Sequence, residues 1–455
     1  MDSLLLPEKD IALFTDFYEL SMAAAYFNSN QTDTVALFEM FVRKLPRNRS
    51  YLVAAGLEQV IYFLMNFRFK HDHIEYLKNQ SIFSNISNRF FEYLSKLKFT
   101  GDVWAIPEGS IVFPNEPILR VEAPIIEAQL VETYLLSVIN FQTLIASKAS
   151  RVVEAARGRS VIEFGSRRAH GPNAGILAAR ASIIGGCEGT SNTYAGYKVG
   201  IPASGTMAHS FVMNFASEEE AFQAFCETFP MSTLLVDTYD PVKAVKIAIQ
   251  KGLEFEGVRI DSGNILNISR KIRRILDDAG RKSVKIMATG DLNEHIVYDM
   301  VSKQAPIDYF GVGTELSTSR DDPALNGVYK LVGIRIKSSN LKGSKYQTIY
   351  KKKKSPGKES FPGPKQVHRL VRKNKLVADI LTLDDEEIRG SIPMLKQYIK
   401  GGRVIERLPS IFEIRNWCSN QVSILPKKFR KLDYVPESFP VSISKKLRMT
   451  SNITN

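Results

Sequence analysis

Strand-like and helix-like segments alternate through the middle of this chain, and that alternation limits the folds open to it. Short apolar runs typical of buried strands occupy residues 160–165, 234–237, 257–261, 284–288 and 307–310. Helical patterns lie between them, so that units of about 25 residues each hold one strand and one helix, as in parallel sheets with helical crossovers. The sequence therefore predicts an α/β fold with a βα barrel, whose active site lies at the carboxyl ends of the strands.

Glycine loops follow three of these runs, at 261–264, 289–291 and 311–314. Glycine lets backbone N–H groups approach an anion closely, and a helix that starts there adds its positive end. Turn geometry alone explains any one such loop. Three of them in successive units favour a site for phosphate groups, formed by Gly263, Gly290, Gly311, Gly313 and Thr314.

One histidine, His209, stands among small and hydroxyl residues in the stretch 204–210, which leaves its side chain reachable as a nucleophile. The alternative is a buried histidine that is hydrogen bonded to backbone. Beside several phosphate loops, a histidine nucleophile suggests phosphoryl or phosphoribosyl chemistry.

Polar groups are dense in the stretch 163–172, immediately after an apolar strand. Arg167 and Arg168 need anionic partners, because a guanidinium binds a carboxylate or phosphate through paired hydrogen bonds. Phe164 can offer a flat face to an aromatic ring. The alternative is an ion pair with neighbouring acids and a core phenylalanine; the position of the stretch favours a binding role.

Three aspartates lie at or just beyond predicted strand ends, where they can hold Mg²⁺ or contact ribose hydroxyls. Asp240 precedes Pro241 and fits a helix N-cap. Asp261 is predicted to be functional, and both interpretations stay open for Asp237.

Charge is divided unevenly between the two parts of the chain. Residues 331–455 hold 27 Lys and Arg against 10 Asp and Glu, whereas the whole chain has a net charge of +13. Such a basic region attracts nucleic acid or small polyanions such as ATP and diphosphate, and it also suits a solvated surface. The chain lacks an RNA-binding aromatic pattern, a zinc spacing and a Walker A loop.

The three cysteines are too few for a disulfide framework, which predicts a cytoplasmic protein. The first ten residues lack the features of a signal peptide, and no apolar run reaches the roughly 20 residues that span a bilayer. We therefore expect a protein without membrane contact.

The flanking regions are predicted to be mixed α and β. Helical patterns cover residues 11–27, 56–67, 86–97, 125–156 and 391–401. Residues 337–365 contain a lysine run and several Pro and Gly, which predicts a basic loop or hairpin. We divide the chain into an N-terminal α/β domain (1–124), a barrel domain (125–335), and a basic loop with a C-terminal segment (336–455) that packs on the N-terminal domain.

Several motifs in one order make the chain resemble the nicotinate phosphoribosyltransferases, enzymes that couple ATP use to the synthesis of nicotinate mononucleotide. The resemblance is carried by residues 13–22, 38–43, 164–175, 185–192, 205–210, 258–263 and 311–314. It implies an irregular α/β barrel with a second α/β domain built from both chain ends. It also implies a homodimer with a shared active site, and a role in NAD salvage.

The resemblance further implies roles for individual residues. His209 would be phosphorylated by ATP, Arg167 would lie at the substrate and phosphate pocket, and Asp261 would lie near the ribose. Nicotinate would stack between Phe164 and the partner subunit's Tyr18, and would contact Thr206 and Arg259. Gly290, Gly311, Gly313 and Thr314 would hold the 5-phosphate of phosphoribosyl pyrophosphate (PRPP). Mg²⁺ would accompany ATP and PRPP.

One position departs from the family pattern. Asn264 follows Asp-Ser-Gly where typical members carry Asp, and the related nicotinamide-using family also has Asn there. A nicotinamide phosphoribosyltransferase is therefore the first alternative, and a nucleic-acid-binding protein that uses the basic C-terminal region is the second.

Overall fold

A computed structural model describes residues 6–337, 346–353, 360–433 and 437–450. The N-terminal part contains six helices and five strands. In chain order they are α1 (Phe17–Asn28), β1 (Val35–Val42), β2 (Leu52–Val53), α2 (Leu57–Asn66), α3 (His71–Lys78), α4 (Asn88–Lys96), β3 (Asp102–Ala105), β4 (Ile111–Val112), β5 (Pro117–Pro124), α5 (Ile125–Leu130) and α6 (Glu132–Ala156).

Two predicted helices differ from the structure in their bounds. The helix predicted over 11–27 begins only at Phe17, because a 3₁₀ helix (Glu8–Leu13) precedes it and Thr15 turns back to donate its hydroxyl to Glu19. The helix predicted over 125–156 is two helices that meet at Val131. The helices predicted over 56–67 and 86–97 are confirmed as α2 and α4.

The middle of the chain alternates between strands and helices, as predicted. Its elements are β6 (Ser160–Glu163), α7 (Pro172–Ile184), β7 (Gly189–Thr190), α8 (Thr193–Val199), α9 (His209–Met213), α10 (Glu218–Thr228), β8 (Thr233–Leu235), α11 (Pro241–Gln250), β9 (Gly257–Ile260), α12 (Ile265–Asp278), β10 (Lys285–Ala288), α13 (Glu294–Ser302), β11 (Tyr309–Val312) and α14 (Thr314–Ser317).

These six strands form one parallel sheet in the order β7-β6-β11-β10-β9-β8. The order is that of a ring opened between β7 and β8, since no ladder joins those two strands among the described residues. Ala203 makes an isolated bridge to Thr190, so the segment before His209 enters this gap. The sheet is therefore a half-barrel, and the predicted α/β class is confirmed.

The C-terminal part is mostly β-structure. It contains β12 (Gly327–Lys337), β13 (Tyr346–Tyr350), β14 (Lys365–Arg372), β15 (Lys375–Leu383), β16 (Ile392–Pro393), β17 (Lys396–Lys400), β18 (Arg403–Val404), α15 (Ile411–Ile424), β19 (Val441–Ile443) and α16 (Lys445–Thr450). β12 and β13 pair as a hairpin, which agrees with the predicted loop or hairpin over 337–365. Part of that prediction, including Lys354, lies outside the described residues.

The helix predicted over 391–401 is wrong. This segment forms β16 and β17, because β17 lies between β3 and β18 in a sheet and buries Tyr398 and Ile399. A pairing partner about 300 residues away in the sequence thus overrides the local helical pattern.

A seven-stranded antiparallel sheet, β13-β12-β1-β5-β3-β17-β18, combines strands from the first and last thirds of the chain. A four-stranded sheet, β16-β14-β15-β19, follows it. α6 joins the N-terminal core to the half-barrel core: Leu144 packs in the first and Ile145 in the second. No helix in the described part of the chain is both long and apolar enough to cross a membrane.

Candidate active site

A cavity of about 410 Å³ opens at the carboxyl ends of the half-barrel strands. Nine of the twelve residues predicted for the site line it. They are Phe164, Arg167, Thr206, Arg259, Asp261, Gly290, Gly311, Gly313 and Thr314. Parallel strands end at one edge of a sheet, so residues far apart in the sequence meet there.

Close packing accounts for two of the glycines that line this cavity. Gly290 has a φ of +86°, and a Cβ there would lie 1.8 Å from the carbonyl oxygen of Asp261. A Cβ on Gly311 would lie 2.8 Å from the Phe164 ring. The turn-geometry alternative therefore holds, and the same close packing leaves the loop backbone bare toward the cavity.

The N-terminal end of α13 is not available to bind an anion. The sequence pattern predicts a helix over 291–303, and α13 lies within that range but begins at Glu294. The side chain of Asn293 accepts hydrogen bonds from the N–H groups of His295 and Ile296. A phosphate near Gly290 would therefore depend on the loop itself. The cavity reaches Gly313 and Thr314, the first residue of α14.

Arg259 organises the centre of the cavity. Its Nη2 donates to Asp261 Oδ1 at 2.8 Å, its Nη1 to the Thr206 hydroxyl at 3.0 Å, and its Nε to the Thr289 hydroxyl at 2.9 Å. Its guanidinium lies 5.9 Å from the centre of the Phe164 ring. A cation thus stands beside an aromatic face, an arrangement that suits a flat ring carrying a carboxylate.

The Asp261 carboxylate is kept charged by its neighbours. Burial raises the pKa of this group, but hydrogen bonds from Arg259 and Thr289 outweigh burial and leave the pKa below its ordinary value. Thr289 was not among the residues predicted for the site, although its position directly before Gly290 was the available signal.

His209 lies at the start of α9 with a side chain that is 40% exposed, so the buried-histidine alternative is wrong. Its Nδ1 is 3.1 Å from the Thr238 hydroxyl, and its Nε2 is 3.8 Å from Asp261 Oδ2. Thr238 was missed from the sequence, because a threonine after a strand end is a common loop residue. The contact with Thr238 orients the ring and leaves Nε2 facing the Asp261 side.

The other two aspartates have structural roles in the described chain. Asp237 Oδ2 accepts from the Asp261 N–H at 2.9 Å and from the Ser262 hydroxyl at 2.6 Å, which fixes the Asp261 loop. Asp240 caps α11, as predicted. Asn264 caps α12 by accepting from the Asn267 N–H, a role that Asp fills equally well.

Arg167 and Arg168 lie in a 3₁₀ turn between β6 and α7, and both line the cavity. The fully buried Glu163 holds this turn in place. Its carboxylate accepts from the Gly165 N–H and from the Thr190 hydroxyl, which links the loops after β6 and β7. Burial raises the pKa of the Glu163 carboxyl despite these bonds.

Three of the twelve predicted residues are not part of the cavity lining: His209, Gly263 and Tyr18. Gly263 lies two positions after Asp261, with a φ of +75°. Tyr18 lies on α1 with 51% of its surface exposed. Burial, together with the nearby Glu132 and Glu19, raises the pKa of Tyr18 to about 12.

Carboxylates at the cavity match the ligands that Mg²⁺ prefers. Asp261 and Asp291 both line the cavity beside the glycine loops. Mg²⁺ is usually held by one or two carboxylates together with substrate phosphates, so this set of oxygens suits an ion that arrives with its substrate. Among the described residues, the single group of three metal-type side chains is Asp10, Asp72 and His73, on the N-terminal helices.

The chain matches known proteins over most of its length. Sequence models of nicotinate phosphoribosyltransferases match residues 13–140 (N-terminal domain), 160–376 (family) and 391–451 (C-terminal domain). A nicotinate phosphoribosyltransferase of Mycobacterium tuberculosis is 43% identical over 442 residues, covering 96% of this chain and 92% of that protein. One of Bacillus subtilis is 36% identical over 468 residues, covering 96% and 94%.

Solved structures agree with this result. The crystal structure of human nicotinic acid phosphoribosyltransferase matches with a TM-score of 0.82 and 26% identity, covering 97% of this chain and all of that one. A nicotinate-nucleotide pyrophosphorylase from Pyrococcus furiosus matches with a TM-score of 0.75 and 25% identity, covering 93% and 98%.

Proposed function

The chain belongs to the nicotinate phosphoribosyltransferase family, and from this premise we propose that it joins nicotinate to the phosphoribosyl group of PRPP. The products are nicotinate mononucleotide and diphosphate, in NAD biosynthesis. The observation that carries this proposal is the Arg259–Asp261 pair beside the Phe164 ring, at the point where the glycine loops meet.

Nicotinate binds with its ring against Phe164. Its carboxylate receives hydrogen bonds from Arg259 and from the Thr206 hydroxyl, two groups that already lie 3.0 Å apart. Arg167 adds a second cation at the cavity wall. These contacts hold the pyridine ring so that its nitrogen faces the ribose.

PRPP binds along the glycine loops, with its 5-phosphate at Gly290, Gly311, Gly313 and Thr314 and with Gly263 at the neighbouring loop. The pyridine nitrogen gives its lone pair to ribose C1 as the bond from C1 to the diphosphate oxygen breaks. Positive charge develops on the sugar, and the ionised Asp261 offsets it. Asp261 or Asp291 would hold Mg²⁺, which would neutralise charge on the leaving diphosphate.

ATP acts through His209. Nδ1 lies 3.1 Å from the Thr238 hydroxyl. In the tautomer with the proton on Nδ1, this N–H donates to the hydroxyl, and Nε2 carries the free lone pair that attacks the γ-phosphorus of ATP. A P–N bond forms as the P–O bond to ADP breaks. The phosphohistidine beside the cationic cavity favours bound PRPP, and its hydrolysis draws the transfer forward.

A homodimer with a shared active site completes this arrangement. Tyr18 of each subunit would cover the nicotinate of the other, which is supported by the exposure of Tyr18, Phe14 and Phe17 on one end of the chain. The seven-stranded sheet would form the second domain, from both chain ends. We place the enzyme in the cytoplasm, in keeping with the free thiols of all three cysteines.

The proposal is tested by incubating the enzyme with ATP, Mg²⁺, nicotinate and PRPP. The wild type should form nicotinate mononucleotide and an acid-labile phosphoryl group, whereas His209→Ala should lose the label and the coupling to ATP. His295→Ala, on the exposed surface of α13, is the matched control and should keep both.

Two outcomes would contradict this assignment. Retention of the label by His209→Ala would remove the role of His209. A preference of tenfold or more for nicotinamide over nicotinate would show that the chain is a nicotinamide phosphoribosyltransferase instead.

A further inference from the structure

A second cavity, of about 460 Å³, lies on the side of the half-barrel away from the active site. The end of α6, the loop after α7 and the helix α15 form its walls. Arg157, Arg159, Arg415 and Arg430 line it, and we call it the arginine cleft. No step of the proposed reaction uses these four side chains.

The cleft is strongly cationic. Its charged lining consists of the four arginines and two acids, Glu154 and Glu188. Arg430 Nη1 pairs with Glu154 at 2.8 Å, and Arg415 Nη2 lies 3.7 Å from Glu188. Arg157 and Arg159 make no acidic contact of this kind among the described residues. Four arginines against two acids therefore leave the cleft with a net charge of +2.

Donor groups of these arginines are left over for a ligand. The Nε of Arg430 is buried without a hydrogen-bond partner in the described structure. Arg159 Nε donates to the Ile307 carbonyl at 2.9 Å, and Arg415 Nε to the Gly186 carbonyl at 3.3 Å. Arg157 lies over the Tyr298 ring at 4.8 Å. Since a guanidinium has five N–H donors, these contacts hold the side chains and leave most donors free.

The arginine cleft and the active site lie at opposite ends of the same strands. Arg159 precedes β6 and lines the cleft, whereas Phe164 follows β6 and lines the active-site cavity. Likewise, Glu188 precedes β7 and lines the cleft, whereas Ser191 follows β7 and lines the active-site cavity. A four-residue strand rises by about 13 Å, so a small molecule in one cavity does not fill the other.

We propose that the arginine cleft is a second ligand site, which binds a small anion with at least two phosphate groups. Guanidinium groups bind phosphate oxygens in pairs, and several of them converging on one cavity favour a ligand with more than one such group. The volume lies in the range of small-molecule pockets, about 300–1,000 Å³. Val153, Val161 and Val422 add apolar wall, which suits the sugar or base of a nucleoside diphosphate.

Calorimetric titration of the full chain with ADP and with inorganic triphosphate tests the proposal. To separate the two cavities, the titration is repeated with Arg167→Gln, a change confined to the active site. We expect a binding event that survives Arg167→Gln and that weakens about tenfold or more in Arg157→Asn/Arg415→Gln. Tighter binding of ADP than of triphosphate identifies a nucleotide as the ligand, and the reverse identifies an inorganic polyphosphate.

Matched variants keep the result interpretable. Arg157→Asn alone changes an exposed side chain whose backbone has a φ of +48°, a conformation that Asn tolerates, and it should weaken binding without loss of fold. Arg403→Gln/Arg407→Gln removes the same charge from an exposed segment and should leave binding unchanged. Glu188→Gln should tighten binding several-fold, which damage to the fold would not do. Equal affinity in the wild type and the cleft variants, or equal loss in the control, would overturn the proposal.

Discussion

Two arginine–aspartate pairs in this molecule have almost the same geometry and different surroundings. In the half-barrel, Arg259 Nη2 lies 2.8 Å from Asp261, with side chains that are 13% and 27% exposed. In the four-stranded sheet, Arg369 Nη2 lies 2.7 Å from Asp379, with side chains that are 1% and 0% exposed. The distance alone does not distinguish a binding group from a structural one.

The remaining contacts of each arginine make the difference. Arg369 also donates to Gln421 of α15 and to the carbonyl of Ile111, so the guanidinium ties the sheet to its neighbours inside the core. Arg259 instead donates to two threonine hydroxyls at the wall of a cavity, contacts that a substrate carboxylate can replace. The open pair can therefore exchange partners during a reaction, and the closed pair cannot.

The largest effect is expected from breaking the closed pair. Arg369→Met leaves the Asp379 carboxylate buried next to Glu116, whose own pKa is raised well above its ordinary value by burial and by Asp379. Removal of one partner of a buried pair costs about 3–5 kcal/mol. Urea unfolding should show this loss of free energy, while the kcat/KM of the folded fraction should stay near the wild-type value. A loss below 1 kcal/mol would mean that the pair is not what holds these elements together.

The opposite result is expected for the open pair. Arg259→Gln should lower kcat/KM for nicotinate about 100-fold, or about 2.7 kcal/mol, because the carboxylate of the substrate loses its cation. The free energy of unfolding should change by less than about 1 kcal/mol, since water reaches Asp261. Steady-state kinetics and urea unfolding on the same preparation check both values. A large loss of stability with normal kinetics would make this pair structural as well.

The sequence carried a signal for the open pair and none for the closed one. Asp261 and the glycine loops follow apolar strands, and a position after a strand is a local pattern that one sequence displays. Arg369 and Asp379 lie within ordinary strands, and their environment depends on α15 and β4, which join them only in the folded chain. The same reason explains the wrong helix over 391–401.

The same difference between local and long-range signals appears within the site. His209, Arg259 and Phe164 were recognised from the motifs that surround them, whereas Thr238 and Thr289 were not. A threonine hydroxyl becomes a site residue only through the side chain that folding brings to it, here His209 or Arg259. The glycine of a loop is visible in the sequence, but the contact that requires it is not.

Glu19 is a buried acid without a cationic partner among the described residues, so its effect on stability should depend on pH. Glu19 is fully buried, and its carboxyl group contacts the hydroxyls of Thr15 and Thr133. Burial raises the pKa of Glu19 from 4.5 to about 7. A raised folded-state pKa means stability that is present below pH 4.5 and lost as the pH rises to about 7, by about 3 kcal/mol.

Glu19→Gln removes this titration while keeping the size of the side chain. Relative to the variant, the wild type should lose stability between pH 4.5 and pH 7, as measured by urea unfolding at several pH values. Glu75→Gln, on an exposed helix position, provides the control. Parallel pH profiles for the wild type and Glu19→Gln would show that Glu19 is ionised in the folded state at all these pH values.

The smallest effect is expected at Thr238, which faces the open pair from the far side of His209. Thr238→Val keeps the shape of the side chain but removes the hydroxyl, so the His209 ring loses the contact that leaves Nε2 free to react. The rate of His209 phosphorylation by ATP should fall about tenfold, or about 1.4 kcal/mol, with little change in KM for nicotinate. Thr238→Ser restores the hydroxyl and should restore the rate, which a purely structural role of the methyl group would not allow. An unchanged rate in Thr238→Val would show that Asp261, 3.8 Å from Nε2, is enough to orient the ring.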